Sequence, residues 1–366
     1  MSDILNKLIY ESSKKLGDYI NNHKGKSNIS YSDYVQNVRK ERSKKIKEKR
    51  IIYLDTFVWK WLADYKQGKT HRFTGAQLAF VHAIEDARQS GVFLFPIGLT
   101  TFFELDAMTD PKTFESLATF VDELCLGYCL APFSEVLQNE LEKVLTGKIE
   151  EVIDPLDYLV SPIELLGIPD VDFINSAFVD DELACQKAFF DVVSQLSFAD
   201  QLLIARESDD EKWDNSKQID DLNRNKIIHQ DKIINLNTGI FCELKGIIEA
   251  CFLQSGKPLV ESEVLLLAAI IMKFWQDNPE KKSLPAMRVL SGLHGLLRFE
   301  KNRKYKSGDL LDFMAAASAL PIAEAMFTDS RLAILLREKT LGFNNFSDCQ
   351  AINGPEDMSR YIFEKL

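Results

Sequence analysis

Four acidic residues that lie far apart in the sequence occupy equivalent places in its pattern. Each ends a short apolar run typical of a strand or opens a segment with helical spacing, and the four are Asp55, Glu104, Asp312 and Asp329. Carboxyl ends of parallel strands meet at one sheet edge, where ligands bind. Carboxylates gathered in a poorly solvated cleft repel one another, so such a group normally needs a cation. Because the chain has only 5 histidines and carboxylate oxygens are hard ligands, we expect Mg²⁺ or Mn²⁺ rather than zinc.

A simpler interpretation explains each of these positions as a helix cap. Thr101 and Glu104 fit the Thr-x-x-Glu capping box, and Asp309 can cap a helix that has Asp312 in its first turn. Asp329 can likewise cap the helix that follows it. The prediction of a metal site therefore depends on all four acidic residues occurring together in this order.

The elements that would position the first two acidic residues are strands that lead directly into helices. A β-branched and apolar run at 51–54 changes to a helical pattern at Asp55. Residues 76–89 have helical spacing, and 92–97 form a second candidate strand. That strand leads into a helix with Glu104 in its first turn.

The last two acidic residues occupy a similar arrangement near the end of the chain. Residues 308–320 predict an alanine-rich buried helix, and 325–328 predict a strand that Asp329 ends. A helix follows, and 349–352 predict a last short strand. Repeated alternation of strands and helices indicates an α/β fold, a parallel sheet flanked by helices.

The segment between these two halves has a different pattern. Long amphipathic stretches at 179–207, 236–254 and 262–276 predict a mostly helical insertion, which we expect to pack beside the acidic cleft as a lid or wall. The acidic and polar segment 207–221 predicts an exposed loop or a flexible helix end. The predicted organisation is an N-terminal helix and basic linker at 1–49, an α/β core at 50–109 plus 301–366, and the insertion at 110–300.

Two features precede the core. Residues 1–22 have the apolar spacing of an amphipathic helix, and a polar linker is expected after them. Residues 39–50 contain eight Lys or Arg against two Glu, which is typical of a solvated helix face or of an arm that contacts phosphates.

The four acidic segments resemble the motifs of PIN-domain nucleases. The segments are YLDTFVW, LTTFFEL, DFMAAASAL and MFTDSRL. The resemblance covers 50–108 and 305–353, and it implies a PIN-like fold in which Asp55, Glu104, Asp312 and Asp329 are catalytic metal ligands. It also suggests Asp309, one helical turn before Asp312, as an additional ligand. The implied activity is metal-assisted hydrolysis of a phosphodiester bond.

Basic residues adjoin the acidic positions in the sequence. Candidate contacts to nucleic acid are Arg303, Lys304, Lys306 and Arg331; their alternative role is to keep a loop soluble. A net charge of −11 argues against a surface that binds nucleic acid everywhere, although a local basic strip is sufficient for binding. The expected substrate is nucleic acid, with single-stranded RNA favoured over DNA.

Two other functions fit parts of the sequence. Arg224 and His229 match the Arg-x4-His pattern of HEPN ribonucleases, which would cleave without metal. The α/β core is also compatible with a non-catalytic PIN-like scaffold whose insertion binds partners.

The composition predicts a cytoplasmic protein with no membrane segment. Apolar runs such as 264–272 are much shorter than a membrane-spanning helix, and the 6 cysteines show no metal-binding spacing. Exposed helical faces in the insertion are compatible with a homo-oligomer.

Overall fold

The computed structural model describes residues 3–25, 28–152, 154–166, 182–207, 214–256 and 260–366. The fold is mixed α/β and mostly helical, with a small parallel sheet of 4 strands flanked by helices. The strands are β1 (Arg50–Leu54), β2 (Phe93–Leu94), β3 (Cys129–Leu130), β4 (Leu159–Val160), β5 (Ala325–Phe327) and β6 (Gln350–Ile352). The helices are α1 (Asp3–His23), α2 (Tyr31–Lys44), α3 (Thr56–Lys66), α4 (Gly75–Ser90), α5 (Leu99–Asp106), α6 (Pro111–Cys125), α7 (Phe133–Leu145), α8 (Glu182–Val193), α9 (Phe198–Glu207), α10 (Ser216–His229), α11 (Leu236–Gln254), α12 (Glu261–Asp277), α13 (Pro285–Phe299), α14 (Asp309–Ala319), α15 (Ser330–Leu336) and α16 (Pro355–Lys365).

The four-stranded sheet has the order β2-β1-β5-β6, and all of its neighbouring strands are parallel. The two central strands, β1 and β5, are buried along nearly their whole length. A strand buried on both faces needs apolar side chains at successive positions, which explains the uninterrupted apolar runs in their sequences.

Helices cover both faces of this sheet. The ring of Phe327 on β5 contacts Phe80 of α4 and Tyr361 of α16 on one face. On β1, the Tyr53 hydroxyl hydrogen-bonds with the hydroxyls of Thr100 and Thr101 on α5. Tyr53 pairs in register with Met326, the residue before Phe327. Because successive side chains of a strand point to opposite faces, Tyr53 and Phe327 lie on opposite faces of the sheet.

The insertion is mainly helical and joins the same hydrophobic core as the sheet. Helices α11 and α13 pack at very short range, since a methyl group added at Gly239 would lie 2.6 Å from the backbone oxygen of Gly295. Glycine at this crossing removes the side chains that would otherwise hold the two backbones apart.

Two strands of the insertion were not predicted. β3 and β4 form an antiparallel pair, and β3 also bridges in parallel to Ile97, just beyond β2. Strands of two residues are too short to show an alternating pattern, so they could not be predicted from the sequence.

The expected polar linker before the core is instead largely the helix α2, and part of its basic run faces inward. Arg39 is buried and forms ion pairs with Glu135 and Glu164. Arg42 donates a hydrogen bond to the backbone oxygen of Gly127. The prediction that this run is a solvated face or a phosphate-contacting arm is therefore wrong for these two residues, because buried carboxylates and a carbonyl bind them.

The predicted loop at 207–221 is only partly described. Residues 208–213 lie outside the described residues, while Ser216 already begins α10, so the loop prediction is wrong from that position onward. In the predicted amphipathic stretch 179–207, residues 179–181 lie outside the described residues, and the remainder forms α8 and α9 with a break at 194–197.

No single helix among the described residues is long and apolar enough to cross a membrane. Two consecutive helical segments, Glu182–Val193 and Phe198–Ala205, reach the required length and composition only together, and a bend of 100° separates them.

Candidate functional site

The four acidic residues of interest surround the place where the strand order of the sheet reverses. The chain passes from β1 to β2 on one side and later places β5 on the other side of β1. At such a reversal the loops after the two central strands diverge to opposite faces and leave a crevice at the carboxyl ends of the strands. Asp55 directly follows β1, and Asp329 follows β5 after one intervening residue. The Asp55 backbone N–H donates to the Phe327 oxygen at 3.0 Å, so the two strand ends are directly joined.

Asp55 is held rigidly at this crevice. Its Oδ1 accepts a hydrogen bond from the Thr56 N–H at 2.6 Å, and its Oδ2 accepts one from the Thr328 hydroxyl at 2.8 Å. Burial raises the pKa of Asp55 to about 6, and the charges of Glu104 and Asp329 act in the same direction. The two hydrogen bonds favour the ionised form but only partly offset the burial.

Asp312 lies in the first turn of α14 and is the most strongly perturbed carboxyl of the group. Burial, and after it the charges of Asp55, Asp329, Glu104 and Asp309, raise its pKa to about 8. No other described residue donates a hydrogen bond to this carboxylate or forms an ion pair with it. Asp312 is therefore drawn away from water and surrounded by like charge, which is the condition that a bound cation relieves.

The capping interpretation fits some of the acidic residues and fails for others. Asp329 is the N-cap of α15, because its Oδ1 accepts the Leu332 N–H at 2.8 Å, and Asp55 likewise begins α3. Glu104 is not part of a capping box, because α5 already begins at Leu99 and its N-cap has no side-chain hydrogen bond. The placement of Glu104 in a first turn was therefore wrong by about one turn. Asp312 caps no helix end in the described structure.

Asp309 has a different environment from the other acidic residues. Its buried Oδ2 accepts the Lys306 N–H at 2.8 Å and pairs with the Arg331 guanidinium at 2.8 Å. Two donors on one oxygen satisfy the charge of this carboxylate. The pair also fixes Arg331, which follows Asp329 by two positions, beside the acidic crevice.

The basic segment before α14 is anchored by α10. The Lys226 ammonium is buried and donates to the backbone oxygens of Glu300 and Arg303. The Asn223 side chain accepts the N–H of Tyr305 at 2.9 Å and donates to its carbonyl oxygen at 3.0 Å. Sequence analysis missed these anchors because they join segments about 80 residues apart, and no local pattern shows such pairing.

Anchoring leaves part of this segment open to solvent. Lys304 and Lys306 are exposed, and Arg303 is half-buried and pairs with Glu300 at 3.4 Å. Tyr305 is buried, and its hydroxyl contacts the ring of His294, so it cannot stack on a base. Three of the four cations expected to contact nucleic acid, Arg303, Lys304 and Lys306, thus lie on one loop that leads directly to Asp309, and the fourth, Arg331, lies on α15.

The start of α10 also lies beside the crevice. The Asn215 side chain donates to the Ser307 oxygen at 2.6 Å. A cavity of about 240 Å³ is lined by residues of α5, the start of α10 and the start of α14; they include Phe103, Glu104, Asn215, Gly308 and Leu311. The insertion therefore forms a wall next to Glu104.

Arg224 and His229 lie on the same helix, α10, but on different faces. Positions five residues apart on an α-helix are separated by about 140°. Arg224 is exposed and pairs with Asp221 at 3.3 Å within the same helix. This helix conformation does not bring the two side chains together.

In the part of the chain that the structure describes, no group of three or more His, Cys, Asp or Glu side chains is arranged so that it could hold a metal ion. Comparison of the chain with family models, with curated proteins and with solved structures gives no match.

Proposed function

We propose that this chain is a metal-dependent nuclease with a PIN-like core that hydrolyses phosphodiester bonds, in single-stranded RNA more than in DNA. The observation that carries the proposal is the electrostatic coupling of four carboxylates at the crevice between β1 and β5, where the pKa of Asp312 is raised to about 8. The resemblance of the four segments to the PIN motifs supports it, because each segment contributes one of these carboxylates.

The donor set fits a hard divalent cation. Carboxylate oxygens are the ligands that Mg²⁺ and Mn²⁺ prefer, and each oxygen that accepts one hydrogen bond retains a second lone pair. Asp312, whose carboxylate accepts no hydrogen bond from the described residues, would rotate toward Asp55 and Asp329, and the three would hold the ion directly or through water. Glu104 would either join them or position the attacking water. When bound, the ion would lower the pKa of that water and neutralise charge on the phosphate oxygens.

The protein's own residues prepare this chemistry. The Thr328 hydroxyl and the Thr56 N–H orient Asp55 toward the crevice. Glu104 lines the cavity beside the crevice and, in this proposal, would accept a proton from the attacking water. In this proposal Asp309 serves to hold Arg331 in place, although the PIN resemblance suggested it as a ligand. The guanidinium nitrogens that do not bind Asp309 can contact a phosphate.

The substrate assignment is supported by the loop that α10 anchors. Arg303, Lys304 and Lys306 lie next to the crevice in a chain of net charge −11, so basic contacts are concentrated near the reacting phosphate. We also place the activity in the cytoplasm, which is supported by the free state of all 6 cysteines.

The experiment is cleavage of end-labelled single-stranded RNA and DNA by the purified protein with Mg²⁺, with Mn²⁺ and with EDTA. We expect RNA to be cut only with metal, and Asp312→Asn to abolish cutting. Asp348→Asn is the matched control, because the same change is made at an exposed carboxylate just before β6, at the amino ends of the parallel strands and opposite the crevice. Cleavage that persists in EDTA would instead indicate a metal-independent ribonuclease, and no cleavage with either metal would favour a non-catalytic scaffold.

A further inference from the structure

Helix α12 has an apolar face that points away from the protein. Its inward positions are Val264, Ala268, Ile271 and Trp275, which recur at helical spacing and are buried. On the other side, Leu266 is 61% exposed and Ile270 is 44% exposed, and Ala269 lies between them. Residues at i, i+3 and i+4 form one continuous stripe on a helix, so this stripe is a surface and not a set of scattered side chains.

The position of α12 in the fold makes this stripe accessible. α12 packs against α11 through its buried side and has the opposite side in solvent. A second exposed leucine, Leu265 at 39%, widens the stripe. Exposed contiguous apolar area of this kind marks an interaction site, because leaving it in water costs free energy.

The charges at the two ends of the stripe are opposite in sign. Glu263 lies at the start of α12 and is exposed, whereas Lys273 lies near its end and is also exposed. The Lys273 ammonium pairs with Asp277 of the same helix at 2.7 Å, and its other N–H groups can bind a second carboxylate. The positions are symmetric about the centre of the stripe, since Glu263 precedes Leu266 by three residues and Lys273 follows Ile270 by three residues. An antiparallel second copy of α12 would therefore place Glu263 opposite Lys273 at both ends while Leu266 meets Ile270 in the middle.

We propose that this face of α12 is a homodimer interface in which two copies of the chain pack their α12 helices antiparallel about a two-fold axis. A two-fold interface must be self-complementary: where residue i of one copy contacts residue j of the other, residue j of the first copy also contacts residue i of the second. The stripe meets this condition, because Leu266 would pair with Ile270 and Glu263 with Lys273. A parallel arrangement would place Glu263 against Glu263 and Lys273 against Lys273, which is repulsive. The occupant is thus a second copy in one orientation.

The size of the stripe sets the strength of the dimer. α12 has 17 residues, so the helix is roughly 25 Å long and buries less surface than a standard protein interface. We therefore expect a dimer that dissociates on dilution, with a dissociation constant on the order of micromolar to tens of micromolar.

The test is sedimentation velocity of the full-length protein from about 1 to about 200 µM. We expect a concentration-dependent shift from monomer to dimer. Leu266→Glu should abolish this shift, because the two-fold axis brings two copies of the new charge into the apolar centre. Ile334→Glu, at a site that is 65% exposed on α15, is the matched control and should leave the dimer unchanged.

A charge exchange tests the orientation. Glu263→Lys alone and Lys273→Glu alone should each weaken the dimer about tenfold, since each creates two like-charge contacts by symmetry. The double variant should recover most of the lost affinity in the antiparallel arrangement. A monomer at every concentration would overturn the proposal and leave the face to another partner, and failure of the double variant to recover would overturn the antiparallel orientation.

Discussion

Replacing Asp312 by Asn should make the metal-free protein more stable at neutral pH and should weaken the stabilisation that metal provides. The wild-type carboxyl is withdrawn from water and faces like charges, so its ionised form is disfavoured in the folded state. Asn is nearly isosteric and neutral, which removes this cost. It also removes one anionic ligand from the proposed metal site.

The magnitude follows from the two pKa values. In the folded protein the pKa of Asp312 is about 8, and its ordinary value is 3.8. At pH 7 this difference corresponds to an upper limit of about 4 kcal/mol of lost stability. Solvent still reaches part of the carboxyl and screens it, so we expect roughly half, about 2 kcal/mol. For a chain of 366 residues that is a rise in Tm of about 2–3 °C.

The pH dependence has a definite sign. The pKa of Asp312 is higher in the folded protein than in the unfolded protein, so protonation of this carboxyl favours folding. Its contribution to stability is therefore complete below about pH 4 and is lost as the pH rises through about 8. Asp55, with a pKa raised to about 6, acts in the same direction over a lower range. The stability gained by Asp312→Asn should therefore be roughly half as large at about pH 5.5 as at about pH 8.

The assay is thermal unfolding of wild-type protein, Asp312→Asn and the control Asp348→Asn in EDTA and in Mn²⁺ between about pH 5.5 and 8.5. Mn²⁺ should raise the Tm of the wild type increasingly with pH, because metal competes with protons for the carboxylates. A Tm of Asp312→Asn below that of the wild type in EDTA, or a difference that does not change with pH, would refute the reasoning and favour a purely structural role for Asp312.

Three further predictions concern other parts of the molecule. Thr328→Val removes the hydroxyl that stabilises ionised Asp55, so the acidic limb of the pH–rate profile for RNA cleavage should move up by about 1 pH unit. An unchanged acidic limb would show that the ionisation of Asp55 does not control the cleavage rate. Arg331→Ala should weaken RNA binding and lower the free energy of unfolding by about 3 kcal/mol, because it leaves the buried carboxylate of Asp309 without its cation. Chemical denaturation measures this loss, and Arg331→Lys should recover much of it. Gly239→Ala should destabilise the protein by about 2–4 kcal/mol, because the added methyl would lie 2.6 Å from a carbonyl oxygen of α13. The control is Gly246→Ala on the same helix, where the added methyl meets nothing within 4 Å and should stabilise the protein by about 0.5–1 kcal/mol. Equal effects of the two substitutions in calorimetry would contradict the close packing of α11 against α13.

The elements that position the acidic residues could be predicted because their signals are local. A buried parallel strand needs successive apolar residues, and β1 and β5 show such runs directly before Asp55 and Asp329. Helices such as α11 could also be located, since apolar residues recur along them at helical spacing.

Other features depend on contacts between distant segments and leave no local pattern. The buried ion pairs of Arg39 look in sequence like part of an exposed basic run. The hydrogen bonds of Lys226 to the basic loop join segments more than 70 residues apart. The start of α5 at Leu99, ahead of the Thr101 capping pattern, is also set by tertiary packing, since the Thr101 hydroxyl is occupied by Tyr53.

The most direct measurement of the central claim is an anomalous difference map from crystals of the protein soaked in Mn²⁺. We expect a peak at the carboxyl ends of β1 and β5, about 2 Å from carboxylate oxygens of Asp55 and Asp312, and loss of that peak in crystals of Asp312→Asn. A map with no peak in this crevice at saturating Mn²⁺, or with the same peak in the variant, would contradict the assignment of these carboxylates as a metal site.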